Sequence, residues 1–489
     1  MTGASLILSA TPSLTQSCEY WIAPAPAGND SNPGSFAQPW ATFVHAATHI
    51  PDNYCTVWIK DGTYTQLVDI EERYATPATF KAVHPYKAIL QYNGTALEIS
   101  GARNIVIEGL EIRHTSPGAG ALLIQVRRSL PNDWAEHITL RDNIIHDSYN
   151  NDLLKIFDGA RFITVEGNVF YNQGPGEEHM DVNSVTDVTI QDNIFFNDYA
   201  GSGRSDPGNT KAFITVKDSN EGADGLFGSE RVDIRRNIFL NWQGDIEPFL
   251  QIGNGGKPYY ESKFMHIENN LMIGNAQDMV NALLALSGVR DITFANNTVV
   301  GDLPSEAYAF RVDQKGLNLV NLNIYFYNNI LADPTGTMGA DLSGDKNNFS
   351  GGEPVQVSNL ILDNNLYWNG PNAIPPGKVA SPLVDDARRV VANPLLNTEH
   401  VAIVLPRWAG SAFLSGSLTI QQEFMRLVEL YGVIPSNSPA VGEADPLHAP
   451  PDDILGRPRT ASPEMGAYEV DALGNDHSIF LPLVARNAP

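Results

Sequence analysis

Two cysteines in 489 residues are few, charged side chains make up only 18% of the chain, and the basic ones are the scarcer kind. Lys plus Arg number 31 against 56 Asp plus Glu, a formal charge of −25. So acidic a chain lacks the cationic footprint that phosphate backbones demand, which excludes nucleic acid as an expected partner. No apolar run approaches the roughly 18 residues of a membrane-spanning helix. Wholesale disorder is excluded from the other side, since 43% of the residues are hydrophobic. With 41 Gly and 32 Pro, the composition is that of a turn-rich, β-dominated chain, expected to act as a monomer.

The first 17 residues carry no Lys or Arg and only a short apolar stretch, Ala4–Ala10. They do not form an intact secretory signal and read as a disordered leader. Cys18 opens Cys18-Glu-Tyr-Trp21-Ile, and Cys55 opens Cys55-Thr-Val-Trp58-Ile. If these strand-like runs pair in parallel and in register, the sulfurs lie side by side within bridging distance. The alternative is a pair of buried thiols. The matched offsets favour a Cys18–Cys55 disulfide and hence a secreted protein.

Self-similarity dominates the middle of the chain. His137-Ile-Thr-Leu-Arg-Asp-Asn143, Phe162-Ile-Thr-Val-Glu-Gly-Asn168 and Asp187-Val-Thr-Ile-Gln-Asp-Asn193 are copies of one unit. The series continues through Asn237, Asn270, Asn297, Asn329 and Asn365, at spacings of 25, 25, 44, 33, 27, 32 and 36. Each copy is an alternating strand, a polar bend centred on Asn, and a short second strand. A minimal period with variable insertions describes a coil of constant core and variable loops. Asn suits such a bend because it tolerates left-handed backbone, and its amide can bond the equivalent Asn one coil away. The fold class expected is all-β, a right-handed parallel β-helix over residues 18–400. Pro39–Ala47 reads as an N-terminal capping helix. Ile420, Phe424, Leu427, Val428 and Tyr431 follow helical spacing, with a capping composition at Ser415–Ser417. Residues 401–489 are therefore expected to form a C-terminal helix and a Pro-rich wrapping tail, ending in a strand-like Ile479–Arg486.

Stacked coils make a flat face on which alternate residues point outward. Following the third strand of each coil turns Gln125, Lys155, His179, Asp181, Asn183, Thr215, Lys217 and Gln251 outward. A row holding Lys, Asp and His is unusual in a repeat of otherwise plain apolar alternation. The largest gap also falls here, with two Gly-rich segments, Asp198–Asn209 and Ser219–Gly228, placed to wall a groove. A site is expected between Asp152 and Gln251. Glu177, Glu178 and Asp181 group hard oxygen ligands that suit Ca²⁺ better than zinc, or else form a solvated acidic turn. His179 alone is more often a packed histidine than a ligand. Lys217 is a candidate general base, provided its pKa is depressed, and charge pairing would raise it instead. Lys155 is the rival base, or a salt-bridge partner of Asp181. Arg204 is a candidate clamp for substrate carboxylates, or an ordinary loop arginine.

With these residues in view, the chain resembles family nine of the polysaccharide lyases, the calcium-dependent pectate lyases. Tyr20-Trp-Ile-Ala-Pro, Gly28-Asn-Asp-Ser-Asn-Pro-Gly34 and Val57-Trp-Ile-Lys-Asp-Gly-Thr-Tyr64 are similar to the N-terminal region of those enzymes. The acidic cluster followed one coil later by Lys217 is similar to their site. The resemblance implies a further metal ligand from the preceding coil, Asp152 or Asp158. Two of the three clustered acids are Glu where the family is Asp-rich, and Lys155 adds a cation to that neighbourhood.

The activity implied is β-elimination on an acidic, uronate-containing polysaccharide, with Ca²⁺ as cofactor, Lys217 or Lys155 as base, and Arg204, His179, Asn183 and Gln251 as substrate contacts. A uronan epimerase would use the same base. A glycoside hydrolase would use two carboxylates, but the Gly-His-Gly of β-helix polygalacturonases is missing. A non-catalytic glycan-binding scaffold is the remaining class, for which a featureless outward row would be expected.

Overall fold

The structure, a computed structural model, describes residues 18–118, 120–275, 278, 280, 282–303, 310–337, 357–372, 386–398 and 403–470. The leader 1–17 and the tail 471–489, with the expected strand at 479–486, lie outside them.

The coils stack into three parallel sheets. The first has 12 strands, from Glu19–Ile22 to Val357–Asp363; the second has 12, from Gly62–Tyr64 to Val390–Val391. The third has nine, from Val68–Ile70 to Phe310–Asp313. Among the described residues, the coils from Thr56 to Asp313 each contribute one strand to each sheet in turn, and the inward residues form one apolar core along the axis. This is the right-handed parallel β-helix expected from the repeat.

The recurring Asn residues are buried and form a ladder. The Nδ2 of Asn143 donates to Oδ1 of Asn168 at 3.0 Å, Asn168 to Asn193 at 3.1 Å, and Asn193 to Asn237 at 3.0 Å. The chain of amides runs on through Asn270, Asn297, Asn329 and Asn365 and ends on Oδ2 of Asp386 at 2.8 Å. One detail of the expectation is corrected. The left-handed residue of the bend is the one before the ladder Asn: Asp142, Gly167, Asp192, Arg236 and Asn269 all have positive φ. That residue makes the turn and leaves the Asn amide free to point inward along the axis.

Cys18 and Cys55 form the expected disulfide, in the register set by Glu19 opposite Thr56, with Cα atoms 4.5 Å apart. Helix α1, Phe43–His49, starts later than expected, at Thr42, whose hydroxyl accepts from His45 N–H. Its buried Phe43 packs against Tyr64 and Phe80 at the start of the core.

Second-sheet strands such as Ile144–His146, Val169–Tyr171 and Ile194–Phe196 are buried on both faces. Their apolar runs lack alternation because the outer face is covered as well as the inner one. The cover is the C-terminal segment: Trp408, Phe413, Ile420, Phe424, Leu427 and Ile434 pack on Ile144, Val169, Ile194, Ile238, Leu271 and Ile330. Its helix α2, Ile420–Leu427, is capped by Thr419 and Gln422 in a reciprocal capping box, while Ser415 bonds Glu423 instead of capping. Amphipathic spacing thus found the helix, and the hydroxyl nearest its first turn capped it. Among the described residues no helix is long and apolar enough to cross a membrane.

Candidate functional site

The C-terminal apolar residues cluster with the second sheet and not with the third, whose outward rows hold the charged residues: Asp181, Asn183 and Thr215 are buried there, while Lys155 and Lys217 stay partly exposed. Gln125, Lys155, Asp181, Thr215 and Gln251 are aligned on successive strands, as the alternation predicted. Asn183 and Lys217 are paired in the next outward row. At the corner preceding these strands, Asp152 and Glu178 stand three residues before Lys155 and Asp181. Two coils thus repeat an acid at the corner and an ionisable residue on the face, and the register superposes them. Glu178 N–H donates to Oδ1 of Asp152 at 2.9 Å, tying the two corners together.

Four carboxylates and two ammoniums meet here. Lys155 Nζ lies 2.6 Å from Oδ2 of Asp181. Lys217 Nζ lies 3.6 Å from Oδ1 of Asp181 and 3.7 Å from Glu178. Ligand oxygens of Asp152, Glu177 and Glu178 all lie within 4.8 Å of one another. Asp181 stands apart from that trio, turned toward the lysines. Burial, with Glu178 and Asp181 close by, pushes the Asp152 carboxyl well above its ordinary range. Glu178 is raised for the same first reason, against the pull of Lys217. Lys217 is opposed by burial, yet Asp181, Glu178 and Asp152 together raise its pKa, and Lys155 is raised by Asp181 in the same way. As the side chains stand, both lysines are ammoniums, contrary to the depressed pKa that a free base requires.

The donor set suits a hard divalent cation. Two observations speak for it: three carboxylates converge, and Oδ1 of Asp181 is buried without a hydrogen-bond partner. An excess of carboxylates over ammoniums in one buried cluster is costly unless positive charge or protons balance it.

Two expected substrate contacts are placed otherwise. His179 is fully buried, with its ring 4.8 Å from Phe213 and its Nε2 3.0 Å from Oδ1 of Asn197. It occupies the corner just before Met180, where the flanking coils put Leu153 and Phe213, so the outward alternation has not yet begun. Burial lowers its pKa to about 3, which keeps it neutral. Arg204 is likewise enclosed. Its guanidinium donates to Asp147 at 3.0 Å and to the carbonyls of Asn172 and Ser148 at 3.0 and 2.8 Å, over the ring of Tyr149. It pins the Asp198–Asn209 loop to the coils rather than presenting a free fork. Asn183 is also engaged, donating to Ser219 Oγ at 2.8 Å and accepting from Ser219 N–H at 3.0 Å, which ties down the second loop. Gln251 is half-buried and donates weakly to the Ala285 carbonyl at 3.3 Å. Thr215, a member of the outward row, also joins the cluster, its hydroxyl bonding Glu178.

A model of the right-handed β-helix region matches residues 132–299. No curated protein matches the sequence. Among solved structures, the pectate lyase Pel9A is similar with a TM-score of 0.54 at 14% identity, over 94% of this chain and 98% of that one. XylC in complex with xylose gives 0.47 at 10% identity, over 92% and 98%. The alginate lyase AlyGC gives 0.39 at 13% identity, over 87% of this chain and 60% of that one. The chain is a right-handed parallel β-helix protein similar in fold to a pectate lyase.

Proposed function

We propose that this β-helix protein is a polysaccharide lyase that cleaves a uronic-acid-containing polymer by β-elimination. The observation that carries the reading is the cluster of Asp152, Glu178, Asp181, Lys155 and Lys217 on the third sheet, where the carboxylates are buried and the two lysines reach the surface. A flat face of this kind takes an extended polymer, and a mixed acid and lysine cluster is what proton abstraction beside a carboxylate requires.

Asp152, Glu177 and Glu178 would hold Ca²⁺, with Asp181 at the edge of the set. When bound, the ion supplies positive charge beside a uronate carboxylate, which acidifies the adjacent C5–H and offsets the charge that builds there. Lys217 is the better base of the two lysines. Lys155 is committed to Asp181 at hydrogen-bond distance, whereas Lys217 is held only at 3.6 and 3.7 Å. To act, Lys217 must lose its proton, and it does so more easily once Glu178 and Asp181 are charge-balanced by something other than itself. It then takes the C5 proton, the C4–C5 double bond forms as the bond to the 4-oxygen breaks, and the departing oxygen takes a proton from water to leave as a hydroxyl. The disulfide fits work outside the cell.

The test is incubation with a panel of acidic polysaccharides, with calcium and with chelator, following ultraviolet absorbance of the unsaturated product. A calcium-dependent rise abolished by Lys217→Ala supports the reading. Cleavage without unsaturation would identify a hydrolase, uronate inversion without cleavage an epimerase, and binding without turnover a scaffold.

A further inference from the structure

The first sheet carries a row that the lyase reading does not use. On nine successive strands the residue at one register position has left-handed backbone: Asn104, His137, Phe162, Asp187, Arg231, Phe264, Asp291, Asn323 and Asn359, with φ between 53° and 61°. The register confirms the alignment, because the pairing skips this residue on each strand, Glu136 opposite Arg161 and then Ile138 opposite Ile163. Asn, Asp and His tolerate this conformation, whereas an aromatic side chain is an outlier there.

Phe162 and Phe264 are those outliers, and they are also exposed, at 45% and 40%. Neither position serves the core, and sister coils fill it with Asn at lower backbone cost. Outliers of this kind, held where the fold gains nothing from them, point to function. The two rings are three strands apart, about 14 Å at the usual spacing of about 4.8 Å. His137 stacks on Phe162, with centroids 4.8 Å apart, and the Arg290 guanidinium lies 5.0 Å from the Phe264 ring. Both rings are therefore braced on one side. Together they line a groove of about 590 Å³ that also includes Thr189, Arg231, Asp233 and His266. Arg231 is bound bidentately to Asp187 at 2.7 and 2.9 Å, so its fork is not available to an incoming carboxylate.

We propose that this groove is a second glycan-binding site, distinct from the acid and lysine cluster on the third sheet, and that it takes a neutral oligosaccharide segment. The apolar faces of sugar rings would pack on Phe162 and Phe264, and their hydroxyls would bond Thr189, Asp233 and His266. A pyranose in an extended chain advances by close to one strand spacing, so successive sugars meet successive coils. With Arg231 engaged by Asp187, and both Asp187 and Asp233 among its lining residues, the groove offers an incoming carboxylate no free arginine fork and favours uncharged sugars over uronates. The inference does not depend on the lyase reading, because it concerns another face and needs no turnover.

The experiment is affinity electrophoresis of the whole chain through gels containing a panel of soluble neutral polysaccharides, with an acidic one alongside. The variants are Phe162→Asn, Phe264→Asn and their double, which install the residue already found at Asn104, Asn323 and Asn359. Lys217→Ala is the control for the other face. At least one neutral polysaccharide is expected to retard the protein, and each Phe variant to weaken that by about tenfold or more. Lys217→Ala should leave it unchanged. The Asn variants should melt at or above the parent temperature, so lost binding is not lost folding. Absence of retardation by every neutral polysaccharide overturns the proposal. So does retardation that survives the double variant, or retardation by the acidic polymer alone that Lys217→Ala removes.

Discussion

Lys155 Nζ and Oδ2 of Asp181 are 2.6 Å apart, while the other oxygen of that carboxylate is buried without a hydrogen bond. The pair is half satisfied, and its two members should respond differently to removal. Lys155→Met leaves the buried Asp181 carboxylate with only the more distant Lys217, at 3.6 Å, and is expected to cost about 2–4 kcal/mol in urea unfolding. Lys155→Met combined with Asp181→Leu should recover most of that loss, since neither charge is then left buried. Lys217 has no hydrogen bond of comparable length to lose. Lys217→Ala should cost about 1 kcal/mol of stability but, as the base, about 10²- to 10⁴-fold in turnover.

Calcium should raise the thermal midpoint of the chain, by the equivalent of about 2.7 kcal/mol at a hundred times Kd. Burial, with Glu178 and Asp181 close by, pushes the Asp152 carboxyl well above its ordinary range, so a bound cation competes with a proton there. Affinity should therefore fall as pH falls. Asp152→Asn removes a ligand carboxylate and its repulsion from Glu178 and Asp181: melting without calcium should be no lower than in the parent, and the calcium-induced rise should vanish. Calorimetric titration against pH checks the sign.

The Asn ladder gives an axial prediction. Asn193→Ala removes the acceptor of Asn168 N–H and Nδ2–H, and the donor to Val165 and Asn237. Several buried polar groups lose their partners at once, so the expected loss is about 3–5 kcal/mol by denaturant midpoint.

Acid should loosen the loop that Arg204 pins. Burial alone would raise Asp147, but His146, Arg204 and Asn172 hold it down to about 2. A depressed carboxylate contributes stability above its unfolded pKa of about 3.9 and loses it as pH falls toward 2, here about 2 kcal/mol. Asp147→Asn should thus lower stability at pH 5 and above yet match the parent near pH 2, as read from urea midpoints across that range.

The coil, the ladder and the outward row were legible because each is a periodicity, and a two-residue period written over many strands survives local irregularity. His179 was misplaced because the alternation was extended one residue past the strand. Its equivalents Leu153 and Phe213 are both apolar, so the signal for an inward position was present in the row. Arg204 was beyond local reading. Its partners Asp147 and Asn172 lie 57 and 32 residues back, and only the insertion's path over the earlier coils brings them together. The approach of Asp152 to Glu178 depended on knowing the register. Once strands are aligned, the repeated spacing from corner acid to face residue predicts it.

The residues that shield the outer face of the second sheet are made last. Ile144, Val169 and Ile194 leave the ribosome long before Trp408, Phe413 and the helix Ile420–Leu427 exist to cover them. At about 5–20 residues per second, that interval is about 10–50 s. For its duration the nascent chain holds a row of bare apolar side chains on stacked strands, the arrangement most prone to join another chain. A folding assistant or delayed coil formation is needed then, and not afterwards. Truncation before residue 403 makes that vulnerable interval permanent, so such a chain should aggregate even though every coil bearing the acid and lysine cluster is intact.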